Sequence, residues 1–173
     1  PGNICVGDLN RDGLLDFTVT SNLDQWVAVY LGQSDGTFDG AGTYALPSVG
    51  EFYFAALADF NGDDQADLVL TWLTANQVVI LPGNCNGTFA PASVVGPDEP
   101  VRNLAVGDFD RDGKADIMAL GGGLTNVYFL RNVTPWGPAG NLSESAVLDR
   151  GKAAGAAVAA DFDCDGWMDL AVA

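Results

Sequence analysis

Nine residues recur four times along this chain with an aspartate at each end. The copies read DLNRDGLLD from Asp8, DFNGDDQAD from Asp59, DFDRDGKAD from Asp108 and DFDCDGWMD from Asp161, at intervals of 51, 49 and 53 residues. A fixed period constrains the fold strongly, because each period must be one supersecondary unit that buries its apolar face against its neighbours. Short runs rich in Val, Ala, Ile and Leu flank every copy: ICVG and FTVT, AALA and LVLT, LAVG and IMAL, AAVAA and LAVA. Bounded by turn residues, they predict buried strands. A third apolar run follows in each complete period: QWVAVYLG from Gln25, QVVILPG from Gln77 and NVYFLRN from Asn126. Two of these lead into matching turns, SDGTF ending at Phe38 and NGTF ending at Phe89, where Gly supplies a positive φ at little cost. Weaker fourth strands are expected near Tyr44, Val94 and Val147.

The predicted unit is therefore strand, acidic loop, strand, turn, strand, turn, strand. Four-stranded antiparallel units of this length are β-propeller blades. A solenoid coil would repeat at roughly 20–30 residues, and independent modules would need their own cores or disulfides. The expected architecture is all-β: one partial propeller domain over 1–173, with repeats at 4–54, 55–103, 104–155 and an incomplete 156–173. That makes about three and a half blades. Such a chain leaves open sheet edges and faces, so it is expected either to be part of a longer propeller or to be completed by further copies of itself.

Of the 23 acidic residues, 15 lie in the four loops; only 7 residues are basic, none is His, and the net charge is −16. Such a balance excludes nucleic acid as a partner, since nothing neutralises phosphates. No apolar run is long enough to span a bilayer, so membrane insertion is not expected. The chain opens at Pro1 with no initiator Met and no leader pattern, as expected of a mature product or part of something longer.

Clustered acids point to a cation. Positions 1, 3, 5 and 9 of each loop carry oxygen side chains: Asp8, Asn10, Asp12 and Asp16; Asp59, Asn61, Asp63 and Asp67; Asp108, Asp110, Asp112 and Asp116; Asp161, Asp163, Asp165 and Asp169. Position 7 can add a backbone carbonyl, from Leu14, Gln65, Lys114 and Trp167. Alternate spacing on a curled backbone aims these groups at one centre. Hard oxygens in that number suit Ca²⁺, up to four ions in a structural role; Mg²⁺ keeps more water and a stricter octahedron, and zinc would want His or Cys. Position 6 should turn sharply, as Gly13, Gly113 and Gly166 allow, but the second loop has Asp64 there. Position 2 is always apolar (Leu9, Phe60, Phe109, Phe162) and is expected to anchor in the core between blades. A helical calcium hand is excluded, because position 12 is Val19, Leu70 or Ala119 inside an expected strand rather than Glu.

These loops, preceded by VGD or LAD and followed by an apolar strand, resemble the FG-GAP/VCBS repeat family, whose members include integrin α-like propellers, secreted lectins and non-catalytic propeller domains of polysaccharide-active enzymes. GQSDGTF and GNCNGTF add to the likeness, while Asp64 and the NVTPWGPAG stretch depart from it. The resemblance implies a loop between the first and second strands of each blade. It also implies an extracellular or cell-surface role in adhesion, recognition or structural assembly, with a protein or glycan as ligand. Fold likeness alone does not name the ligand.

No catalytic constellation is visible. Metal ligation accounts for the loop acids, and Asp24, Asp35, Glu51 and Glu144 form no pair, so the chain is expected not to be an enzyme. A lectin-like alternative would use Trp72 and Trp136 to stack on sugars; packing between blades is the commoner fate of Trp. Sequons at Asn86, Asn132 and Asn141 are candidate glycosylation sites, Asn132 disfavoured by Pro135. Three cysteines, 5, 85 and 164, leave an odd thiol. Cys5 is expected to be buried in the first strand, and a bond between Cys85 and Cys164, two blades apart, is not expected.

Overall fold

The computed structural model describes residues 2–21, 26–46, 52–96, 100–121, 126–133, 142–149 and 155–173. Among the described residues it is all-β apart from one 3₁₀ turn, Leu73–Ala75. Blade 1 holds β1 (Ile4–Gly7), β2 (Asp16–Ser21), β3 (Trp26–Gly32) and β4 (Phe38–Ala45). Blade 2 holds β5 (Phe52–Ala58), β6 (Asp67–Trp72), β7 (Gln77–Leu81) and β8 (Ser93–Val95). In blade 3 are β9 (Val101–Gly107), β10 (Asp116–Gly121), β11 (Asn126–Asn132) and β12 (Leu142–Asp149); β13 (Ala157–Ala160) and β14 (Asp169–Val172) form a two-stranded piece. Each sheet is an antiparallel meander in chain order. First strands pack on first strands, β1 on β5, β5 on β9 and β9 on β13, so the blades fan around one side. The described blades form an open, partial propeller.

Why these segments sit between blades follows from their pattern. Every residue of β6 is buried, as expected for a strand covered on both faces. Alternation then divides the strand between two cores. Leu68, Leu70 and Trp72 join Val27, Val29, Phe52, Val79 and Leu81 between blades 1 and 2. Val69 joins Val78, Ile80, Leu104, Ile117 and Leu130 between blades 2 and 3. A smaller cluster, Leu120 and Val127 against Leu170 and Val172, joins blade 3 to the last two strands.

The fourth strand of blade 1 starts earlier than expected. Instead of lying near Tyr44 alone, β4 leaves the turn at Phe38 and pairs with β3 along its whole length, with a bulge at Val29/Tyr30. The position-2 anchors also divide. Leu9 and Phe60 are buried between blades. Phe109 is half-buried, edge-on to Phe129. Phe162 is 57% exposed. The anchor is buried only where a following blade covers it, and no described strand covers Phe162. At the opposite side, Ile4, Val6, Leu15, Phe17 and Phe38 line an apolar depression on blade 1. Blade 2's equivalents of Val6 and Phe17 in the strand register, Leu57 and Leu68, pack into the first core.

Candidate metal centres

Each loop joins the first strand of a blade to the second, and all four are folded by the same hydrogen bonds. The position-1 carboxylate accepts from the position-6 N–H: Asp8 from Gly13 at 3.0 Å, Asp59 from Asp64 at 2.8 Å, Asp108 from Gly113 and Asp161 from Gly166 at 2.9 Å. It also accepts from the position-5 N–H at 3.1–3.3 Å. Position 5 in turn accepts from the position-7 N–H at 2.7–3.0 Å. Side-chain oxygens are thereby drawn inward as the backbone curls. Asp64 takes φ 61°, beside 81°, 86° and 85° for Gly13, Gly113 and Gly166. The departure at Asp64 thus leaves the loop's curl intact. Position 4 is also left-handed in every loop, at Arg11, Gly62, Arg111 and Cys164; three of the four are not glycine, which sequence reasoning missed.

Position 9 does something further. One oxygen of Asp16, Asp67, Asp116 and Asp169 accepts from the position-2 N–H at 2.7–3.1 Å. The other, in the three complete blades, accepts from the end of the third strand or just past it: Gly32 and Gly83 at 2.8 Å, Asn132 at 2.7 Å. A Cβ at Gly32 or Gly83 would collide with the carbonyl of Leu15 or Ala66. Asn132 solves the same approach differently, its Nδ2 donating to Ala115 O at 3.1 Å and to Phe60 O, in the neighbouring blade's loop, at 2.7 Å.

Asp16, Asp67 and Asp116 are buried, and like charges face Asp67 and Asp116. Burial pushes the Asp67 carboxyl up to about 6 against its backbone donors Gly83 and Phe60, with Asp63 and Asp59 adding repulsion. Burial likewise raises Asp116, with Asp110 and Asp112 contributing. A buried carboxylate among carboxylates is a site that a cation relieves. Asp108, Asp110 and Asp112 bring carboxylate oxygens within 4.8 Å of one another, as do Asp161, Asp163 and Asp169. Loops 1 and 2 have Asn at position 3; Asn10 and Asn61 donate to Asp12 and Asp63 at 2.8 and 3.0 Å. The all-oxygen donor set fits a hard divalent ion. Loop 3 also has cations of its own. Arg131 pairs with Asp110 through Nε, and its Nη2 lies 3.7 Å from Asp112, which Lys114 Nζ also reaches at 3.5 Å.

Other candidate residues fall elsewhere. Trp72, a candidate for sugar stacking, is corrected: it is 9% exposed and stacked on Phe52 at 5.8 Å inside the first core, because alternation along β6 turns it toward blade 1. Asn132 as a glycosylation site is corrected too, since the nitrogen a glycan would need is buried and donates to two carbonyls. Asn86 is exposed in its turn, its Oδ1 accepting from Thr88. Asn141 and Trp136 lie outside the described residues. Cys5 is buried, Cys85 and Cys164 are exposed, and all three are free thiols. Among the described residues no helix is long and apolar enough to cross a membrane.

The model of the FG-GAP-like repeat matches residues 8–70 and 59–119. No curated protein matches the chain.

Proposed function

The chain belongs to the FG-GAP-like repeat family, and on that footing we propose that it is a calcium-binding, integrin-like propeller module working outside the cell in adhesion, recognition or assembly. The observation that carries the calcium reading is the fourfold recurrence of one loop geometry, with buried position-9 carboxylates that repel their neighbours. The ligands would be the side chains at positions 1, 3, 5 and 9, from Asp8 to Asp169, with the position-7 carbonyls. Bound calcium would offset two of the three or four negative charges in each ligand set and lock first strand, loop and third strand of a blade together. Its role is structural, and the family's usual lack of catalysis agrees with a non-enzymatic module.

Family repeats of this kind are typical of extracellular proteins, where millimolar calcium would suit loops binding at ~10⁻⁴–10⁻³ M. The apolar depression on blade 1 and the exposed Val158 of β13 and Phe162 of loop 4 suit cover by further blades of the same kind. Native mass in calcium separates a longer chain from self-assembly: a compact 18 kDa monomer would sink self-assembly. The lectin alternative loses Trp72 to the core, and no binding on a glycan array, with and without chelator, would remove it.

Melting tests the calcium reading. At a hundredfold excess over Kd, calcium should stabilise by about 2.7 kcal/mol per site. A melting curve unmoved by chelator would defeat it.

A further inference from the structure

The loops are not independent of one another. Arg11, at position 4 of loop 1, crosses to loop 2 of the next blade. Its Nη2 donates to Asp63 O at 3.1 Å and to Asp64 O. The Gln65 amide oxygen, in the orientation its surrounding donors require, lies within 2.8 Å of all three nitrogens of the same guanidinium. Loops 3 and 4 repeat the contact with different chemistry. Arg111 donates to Asp165 O at 3.3 Å and lies over the Trp167 ring, 4.1 Å from its centroid. A Cβ at Gly166 would run into that guanidinium. In both cases position 4 of one loop meets positions 5 to 7 of the next, where the backbone turns around the position-5 ligand.

The middle pair lacks the contact and lacks its chemistry. Position 4 of loop 2 is Gly62, which has no side chain, and position 7 of loop 3 is Lys114, a cation that would repel an arginine. Lys114 instead turns back to Asp112. Receiver and donor therefore change together: an amide oxygen for Arg11, a glycine facing a lysine, an aromatic face for Arg111.

We propose that Arg11 and Arg111 are positioning residues that hold the following loop in its cation-binding curl, tying the four loops into two coupled pairs, 1 with 2 and 3 with 4. The inference rests on the calcium reading above. Each arginine springs from a left-handed residue inside its own loop (φ 61° and 60°), so an ion that orders that loop also fixes where the arginine starts. Less freedom is then lost when the guanidinium grips the next loop, and the second ion binds a loop already shaped. Lysine could not replace the planar stack on Trp167.

Terbium, a hard cation close to calcium in size, gives a site-resolved test, because Trp167 sits in loop 4 and can sensitise its emission. Asp165→Asn should remove the Trp-sensitised signal that belongs to loop 4. In the full chain, Arg111→Ala should weaken the midpoint of that signal at least threefold. Asp112→Asn, which disables loop 3, should shift the loop 4 midpoint in the native background and leave it unmoved in the Arg111→Ala background. The reverse design, Gly62→Arg with Lys114→Gln, should create coupling between loops 2 and 3, and it stays informative should Arg111→Ala fail to fold. A midpoint unchanged or tightened in Arg111→Ala, or an equal effect of Asp112→Asn in both backgrounds, would overturn the pairing while leaving cation binding intact. Absence of any terbium or calcium binding to the native chain would instead overturn the calcium reading itself.

Discussion

Stripped of cation at neutral pH, Asp67 is a buried carboxylate facing Asp59 and Asp63, and its pKa stands at about 6 instead of 3.8. The sign of the consequence is fixed by which state holds the proton. Between pH 4 and 6 the folded chain keeps the Asp67 proton and the unfolded chain has lost it, so folding takes up a proton. Stability of the metal-free protein should therefore fall as pH rises through that window, and the penalty is fully present above 6. Roughly two pKa units at 1.36 kcal/mol each give about 3 kcal/mol at pH 7. For a chain of this size that is roughly 6–12 °C in Tm. Asp116 is raised in the same direction. The assay is thermal melting in chelator at pH 5 and pH 7, with Asp67→Asn as control, because relief of the −16 net charge also favours acid. The variant loses the Asp67 share of the pH dependence, and at every pH it can accept from only one of the two backbone N–H groups of Phe60 and Gly83. In excess calcium the order reverses, since protons now compete with the ion, and binding near pH 6 releases about half a proton from this group. A metal-free protein that melts lower at pH 5 than at pH 7, or an Asp67→Asn variant with the full native pH dependence, would refute the reasoning.

Phe60→Ala empties a fully buried site between blades and should cost about 3–5 kcal/mol by denaturant melting. Phe162→Ala, at the equivalent but exposed position, should stay within about 0.5 kcal/mol; a cost as large as that of Phe60→Ala would show that a further blade covers it. Arg131→Leu removes one of the two cations paired with loop 3, and exposed pairs worth about 0.2–1 kcal/mol predict calcium binding there up to roughly fivefold tighter by calorimetry. Produced through a eukaryotic secretory route, the chain should lose glycan mass on Asn86→Gln and none on Asn132→Gln.

The blade order, the loop positions and the strands around them were readable because both signals are local. Aspartates at every second position mark the loop, and four-residue apolar runs mark strands covered on two faces. What could not be read depends on the neighbouring blade. Trp72 looked available for a ligand because it closes a strand, but the parity of β6 sends it into the first core beside Phe52. Asn132 matched a sequon, yet it stands where Gly32 and Gly83 stand in the other blades and uses its amide to bridge Ala115 and Phe60. Its equivalence to those glycines needs the register of β11 against β10. Position 4 was the one loop position whose residue type changed without an assigned reason, Arg, Gly, Arg, Cys, and that variation was the signal for the contacts Arg11 and Arg111 make.

Position 9 explains why a loop and a blade are one object. A carboxylate there accepts from the start of its own loop and from the end of the third strand, so three elements converge on one side chain at the buried end of the loop. Asn in its place would set an NH₂ group against one of two backbone donors and leave a buried N–H without an acceptor, at about 1–3 kcal/mol. The same carboxylate faces acids of its own loop, Asp59 and Asp63 for Asp67, Asp110 and Asp112 for Asp116. Strand geometry therefore demands an acid at a point where electrostatics disfavours one, and a divalent ion reconciles the two demands. On the calcium reading the aspartates stand at position 9 for the blade's sake, and the cation would be there for the aspartates' sake. Calcium withdrawal should accordingly loosen the junction between loop and third strand first, with faster amide exchange at Gly32, Gly83 and Asn132 than at Val69 or Val79 in the strand centres. Uniform loss of protection across those five amides would argue against it.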